Sequence, residues 1–166
     1  RRLAQGVGLL SEDRKREGLA ESLSVGENLT LSKLPALVLP QRQRATARRF
    51  IERLGIRTSG PDQPVHDLSG GNQQKVALAR LLHHDVDVLL LDEPTRGIDV
   101  QSRAAIYRLI DDLAGRGRAV LLVSSYLPEL FGVCDRIAVM RRGRLGVARP
   151  VAELHPHGVL VEATGA

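Results

Sequence analysis

Apolar residues fall along this chain in short runs, separated by charged or glycine-rich stretches, and their spacing changes from one segment to the next. Gly6-Val7-Gly8-Leu9-Leu10 is an apolar run of strand length. The charged stretch Ser11-Glu12-Asp13-Arg14-Lys15-Arg16-Glu17-Gly18 after it reads as a loop. Residues 24–39 mix polar and apolar positions and are broken by Pro35 and Pro40. Residues 41–54 read as a basic amphipathic helix stopped by Gly55, followed by a Pro/Gly/Asp-rich loop around Pro61 and Pro64. From Leu68 the character changes. Leu68-Ser69-Gly70-Gly71 is a tight turn, and residues 72–82 predict a helix with Val76, Ala79 and Leu82 on one face. Residues 86–91 form a nearly continuous apolar run, which suits a parallel strand covered on both faces. A helix is expected near 101–114, a strand at 119–123, a short helix near 128–133 and a strand at 137–140. Arg142-Gly143 reads as a hairpin turn into 145–147, and residues 155–166 carry little pattern. Strands alternating with helices predict an α/β fold with a parallel sheet.

Composition narrows the functions. A length of 166 residues suits one domain, and 43% hydrophobic with 26% charged residues is ordinary for a globular chain. Aromatics make up 2%, with no Trp, which disfavours a base-stacking surface. The net charge of +5 fits an anionic partner such as nucleotide phosphates, anionic lipid or nucleic acid, or an arginine-rich solvated surface. Cys134 is the single cysteine, which excludes an internal disulfide and a thiol-rich metal site, and its apolar surroundings point to packing. No apolar run is long enough to span a bilayer. The opening Arg1-Arg2, without Met, reads as the start of a segment of a longer protein.

Two segments carry candidate chemistry. In Leu68-Ser69-Gly70-Gly71-Asn72-Gln73-Gln74-Lys75, two glycines allow close approach of a ligand to the backbone, and the helix behind them points its amides and positive dipole end outward. Ser69 adds a hydroxyl. An ordinary Ser-Gly helix start is the alternative. In Leu89-Leu90-Leu91-Asp92-Glu93-Pro94-Thr95, two carboxylates sit at the carboxyl end of a buried strand, the edge where open α/β sheets bind ligands. Asp92 there can hold Mg²⁺, and Glu93 can orient or deprotonate a water.

The order and spacing of these segments resemble the ABC ATPase family. LSGGNQQKV matches the family's signature motif, and VDVLLLDEPTRGID matches its Walker B strand and D-loop, with Asp99 as the D-loop aspartate. The resemblance covers essentially the whole chain. It implies a partial RecA-like P-loop NTPase core with a parallel sheet plus an ABC helical subdomain, with residues 20–75 the subdomain, 76–148 the core and 149–166 a C-terminal tail. It implies ATP and Mg²⁺ as cofactors, with Glu93 and Ser125 catalytic, Ser69, Gly70, Gly71, Gln73 and Asp99 at the nucleotide, and Asp92 and Glu12 at the metal. GLLSEDRKREGL, NQQK and Ser124-Ser125-Tyr126-Leu127-Pro128-Glu129 resemble monosaccharide importers of the ribose, galactose and xylose type, and their second cassette in particular.

Partners implied are a second ABC cassette, membrane permease subunits that meet the loop from Glu12 to Glu17, and indirectly a periplasmic or lipoprotein sugar-binding protein. No nucleic acid is implied. The location implied is the cytoplasmic face of the cell membrane. Three departures stand out. No Gly-x-x-x-x-Gly-Lys-Ser/Thr occurs, so the Walker A loop is expected upstream of Arg1, and the isolated chain is expected to be inactive. Glu12 stands at the usual Q-loop glutamine, and Ser125 at the usual switch histidine. Two alternatives stay open: a catalytically weak half that donates its signature loop, and a soluble ABC ATPase acting on nucleic acid or ribosomes. His66, ahead of the signature, reads as a loop histidine, with contact to nucleotide as the alternative, and His83 and His84 read as the end of a helix whose negative pole suits imidazole.

Overall fold

The computed structural model describes residues 2–165, without the side chain of Lys15. It divides into two compact units, residues 1–123 and 124–166.

The first unit is built on a three-stranded parallel sheet in the order β1 (Val7–Leu10), β2 (Val88–Asp92), β3 (Ala119–Val123). The register sets Leu10 beside Leu91 and Leu91 beside Leu122. Side chains alternate across a strand, so Leu10, Leu89 and Leu91 share one face, and all three are buried. Helix α3 (Gly70–His84) packs on that face. Gly8 permits it, because a Cβ there would lie 2.9 Å from Leu81 Cδ2. The opposite face leaves Leu9 58% and Leu121 59% exposed.

The apolar pattern of α3 differs from the expectation. Val76, Ala77, Leu78, Ala79 and Leu81 are buried, whereas Leu82 is only half-buried. Its buried side therefore spans more than one stripe, because α3 lies between β1 and α1 (Val25–Thr30) and also meets α2 (Pro40–Leu54) and α4 (Val100–Gly115).

Helix α1 is an element that the mixed pattern of residues 24–39 concealed. Ser24 caps it: its hydroxyl accepts from Glu27 N–H at 3.2 Å, and Glu27 Oε2 accepts from Ser24 N–H at 2.8 Å. The Ser24 hydroxyl, followed by the Ser24 N–H, pulls the Glu27 carboxyl below its usual range. A depressed folded pKa means this contribution to stability is present above the ordinary carboxylate range and is lost as pH falls through the lowered value. Inside the same helix Asn28 is fully buried, and its amide answers Ala20 N–H and the carbonyls of Ala20, Leu23 and Ser24. Helix α2 runs from Pro40, with Gly55 in the left-handed region at its end, where glycine carries no Cβ penalty.

The second unit holds α5 (Leu127–Val133), the two-stranded antiparallel pairs β4 (Arg136–Ile137) with β7 (Arg149–Pro150) and β5 (Met140–Arg141) with β6 (Arg144–Leu145), and α6 (Pro156–Thr164). The single strand expected at 137–140 is thus split between β4 and β5, and Ile137 pairs antiparallel with Arg149. The tail, which carries little pattern, forms α6, with Pro at its first turn, Gly165 closing it and Val159 buried.

Candidate functional site

β1 and β2 run parallel, so the segments that leave their carboxyl ends emerge together. Residues 11–18 leave β1 and include a wide turn, Arg14–Gly18. Residues 93–99 leave β2. Asp92 lies one residue after buried Leu91, on the face shared with Leu90, and is half-buried. Glu93 follows with φ 44°, in the left-handed region that a side chain with a Cβ rarely adopts. Its N–H donates to the Val123 carbonyl at 2.8 Å, so β3 holds it there. Pro94 and Thr95 are buried behind it, and Arg96 N–H donates back to the Glu93 carbonyl at 3.1 Å. Backbone strain of this kind is maintained where surrounding structure over-determines it, commonly at sites of chemistry.

Ser69 is exposed at the start of α3 with extended backbone (φ −60°, ψ 154°). Its hydroxyl accepts from Asn72 Nδ2 at 2.9 Å and does not cap the helix. The polar residues that follow are committed to structure. Asn72 Oδ1 accepts from Arg57 N–H at 2.9 Å, and Lys75 Nζ donates to the Gly55 carbonyl at 2.9 Å, at the end of α2. Burial, with help from Arg57, pushes the Lys75 ammonium below its usual value. Gln73 is 5% exposed, donating to the Val65 carbonyl at 3.2 Å and accepting from Arg14 Nε at 3.4 Å.

Gly71 is where two helix starts meet. A Cβ there would run into Ser102 Oγ and lie 2.5 Å from Ser102 Cβ. Ser102 sits in the first turn of α4, whose cap is Asp99: the carboxylate accepts from Ser102 N–H at 2.9 Å. The Ser102 N–H, then its side chain, holds the Asp99 carboxyl below its usual range. Asp99 is therefore the capping residue of α4. Gly71→Ala is expected to destabilise the protein by about 1–3 kcal/mol through overpacking. Adding Ser102→Gly, which removes the obstruction, should recover part of the loss. Denaturant midpoints of the two variants check this, and a fully additive double loss would refute the contact.

Glu12 forms an ion pair with Arg96, and Arg14 Nη1 donates to the Arg96 carbonyl at 3.2 Å. Loop 11–18, α3 and the 93–99 loop are thereby brought together, a relation across up to 82 residues of chain that no local pattern announces. Among the described residues no group of three or more His, Cys, Asp or Glu is gathered for a metal. An ion held by Asp92 would take further ligands from phosphate and water, as Mg²⁺ commonly does. Ser125 is exposed near the start of the second unit, where Tyr126 N–H donates to Ser124 Oγ at 3.1 Å.

The remaining candidates have structural roles. His66 ring nitrogens meet the Glu21 carbonyl at 3.1 Å and Asp67 Oδ1 at 3.2 Å. His83 packs edge-on against Phe50, and burial pushes its pKa down, so packing outweighs the helix dipole there. His84 meets the carbonyls of Ser32 and Leu3 at 3.0 and 3.1 Å. Burial raises the Cys134 thiol, which keeps it protonated. Among the described residues no helix is long and apolar enough to cross a membrane.

Residues 1–96 match the protein family described as ABC transporter. The chain is 48% identical over 163 residues to the ribose import ATP-binding protein RbsA 3 of Rubrobacter xylanophilus, covering 96% of this chain and 33% of that protein. It is 53% identical over 156 residues to the arabinose import ATP-binding protein AraG 2 of Burkholderia cenocepacia, covering 90% of this chain and 30% of that protein. The chain therefore spans about a third of the length of the curated relatives it matches. Among solved structures, the dimeric ATP-binding cassette MJ0796 in a post-hydrolysis state bound to ADP and Pi superposes with a TM-score of 0.75 at 20% identity, covering 90% of this chain and 66% of that one. CbiO1 from Clostridium perfringens, part of the ABC transporter complex cbiONQ, gives 0.75 at 24% identity, covering 97% and 63%. These likenesses show the fold: a partial RecA-like core with a parallel sheet.

Proposed function

Because this chain belongs to the ABC transporter family, we propose that it is part of an ATP-hydrolysing cassette that powers monosaccharide import. The observation that carries the reading is Glu93, held in a left-handed conformation directly after Asp92 at the carboxyl end of β2. A carboxylate fixed there can orient a water and take its proton without reorganising.

In this reading Asp92 holds Mg²⁺ together with ATP phosphates. The ion, when bound, neutralises charge on those phosphates. Ser69, Gly70 and Gly71 present a hydroxyl and a helix amino end to the γ-phosphate at the site shared with a second cassette, the two cassettes lying head to tail. Gln73 and Asp99 hold that edge in shape through Val65, Arg14 and Ser102. Ser125 stands in the sequence where the family usually has its switch histidine. The phosphate-cradling loop comes from chain outside these residues, which the open apolar sheet face carrying Leu9 and Leu121 supports, since parallel sheets are normally covered on both sides. The cassette works at the cytoplasmic face of the membrane, on permease subunits that a sugar-binding protein supplies. The ribose import and arabinose import relatives support sugar as cargo.

A second reading, a half that donates its signature loop and hydrolyses slowly, is favoured by a glutamate at position 12 and a serine at position 125, where the family usually has glutamine and histidine. The test is ATP-dependent sugar uptake into vesicles carrying the full-length protein and its permease. Uptake is expected there, with no turnover above background from residues 1–166 alone. Absence of uptake would sink the proposal, and steady hydrolysis by the 166-residue chain would refute a phosphate loop supplied from outside it.

A further inference from the structure

We infer that Glu12, Arg14 and Arg96 form a strap that sets the 93–99 loop against the amino end of α3, making them positioning residues for hydrolysis. The inference rests on the cassette reading above.

The loop that carries the strap is held from within. Ser11 Oγ donates to Glu17 Oε2 at 2.6 Å, Arg16 N–H donates to Asp13 Oδ1 at 3.1 Å, and the N–H groups of Glu17 and Gly18 both donate to the Asp13 carbonyl. Two side chains reach out of this fixed turn to one residue. Glu12 pairs with the Arg96 guanidinium, and Arg14 Nη1 donates to the Arg96 carbonyl. Arg96 is thus gripped at its side chain and its backbone.

Arg14 grips a second element at the same time. Its Nε reaches Gln73 Oε1, and Gln73 is itself tied to the Val65 carbonyl ahead of the Ser69 turn. Its Nη2 lies where residue 70 has no side chain, since a Cβ on Gly70 would come within 2.7 Å of it. One guanidinium therefore spans the α3 amino end and the backbone three residues beyond Glu93. Arg96 N–H donates to the Glu93 carbonyl, so a displacement of Arg96 reaches the strained Glu93 backbone through one hydrogen bond.

Solvent-exposed ion pairs add little to global stability. The side chains of Arg96 and Glu12 are 65% and 45% exposed, so this pair's value is geometric. It also occupies the Glu12 carboxylate with a guanidinium, which separates two uses of Glu12: positioning, and binding of Mg²⁺. Guanidinium suits the first use because its planar fork serves two acceptors at once.

The experiment uses the full-length protein with its permease. Glu12→Arg and Arg96→Glu should each lower kcat on the order of 10-fold, the scale of a small misplacement of a reacting group. KM for ATP, the Mg²⁺ concentration at half-saturation and the unfolding midpoint should stay unchanged. The double variant Glu12→Arg/Arg96→Glu should restore most of the rate. Arg14→Met should be slow and Arg14→Lys intermediate. Glu12→Gln keeps the shape of the side chain and guards against a folding defect; it should be slow with a wild-type unfolding midpoint. Wild-type kcat in the single variants would overturn the strap. So would a double variant as slow as the singles with a raised Mg²⁺ requirement, which would make Glu12 a metal ligand. A wild-type protein that hydrolyses no ATP would instead remove the cassette reading itself.

Discussion

Glu93→Gln in the full-length protein should lower ATP turnover by about 10²- to 10⁴-fold, the range expected when a positioned general base is removed, while nucleotide binding persists. Glutamine keeps the shape of glutamate and its hydrogen-bonding reach but takes no proton. Backbone geometry gives the prediction its force. Glu93 sits at φ 44°, its N–H bound to Val123 O and its carbonyl accepting from Arg96 N–H. That conformation is unfavourable for any residue with a Cβ, and glycine would adopt it at lower energy. A site optimised for stability alone would hold glycine here. Glu93→Gly relieves that backbone conformation, so it should fold and still be inactive. Measured by chemical denaturation and steady-state turnover, the pair separates chemistry from folding. Turnover within a few-fold of wild type for Glu93→Gln would remove Glu93 from the reaction.

The parallel sheet was legible because its strands carry apolar runs, as at residues 88–91 and Ala119–Val123, and because helical spacing lies between them. Helix α1 was hidden by its six-residue length and by the prolines downstream, although Ser24 and Glu27 at capping-box spacing carried the signal. Helix α6 was hidden likewise: Pro156 and Gly165 bracket it, but Val159 alone is buried, so no amphipathic period marks it. The candidate site divides in the same way. Ser69-Gly70-Gly71 and Asp92-Glu93 are contiguous motifs, so their residue types and spacing speak directly. The bond from Arg14 to Arg96 and the bond from Arg14 to Gln73 join residues 82 and 59 positions apart, and only the folded chain brings them together. The left-handed backbone at Glu93 has no sequence signal either, since glutamate is not a residue that favours it. Gln73 is placed by the motif at the nucleotide, and the fold adds what no local pattern shows, the engagement of its amide by Val65 and Arg14.

Ser69→Arg should cost about 10²- to 10³-fold in hydrolysis, the scale of losing an oriented donor set at developing charge, at the site whose phosphate loop belongs to the other cassette. Ser69 is exposed, and its hydroxyl accepts from Asn72 Nδ2 without capping the helix, so the first amides of α3 receive no side-chain oxygen from it. An approaching phosphate then meets a short hydroxyl, two residues without Cβ and the positive end of a 15-residue helix. Arginine at position 69 places a long cation in that approach. It also adds like charge beside the Arg14 guanidinium, which already lies against Gly70. Folding should be nearly unaffected, because the position is exposed and its extended backbone suits any residue. Ser69→Ala provides the contrast: it removes the hydroxyl alone and should cost far less than arginine. Nucleotide trapping that resolves the two composite sites gives the decisive reading. A loss confined to the site completed by this α3 is expected. Equal loss at both sites, or none at either, would mean that the amino end of α3 does not face a nucleotide held by a second cassette.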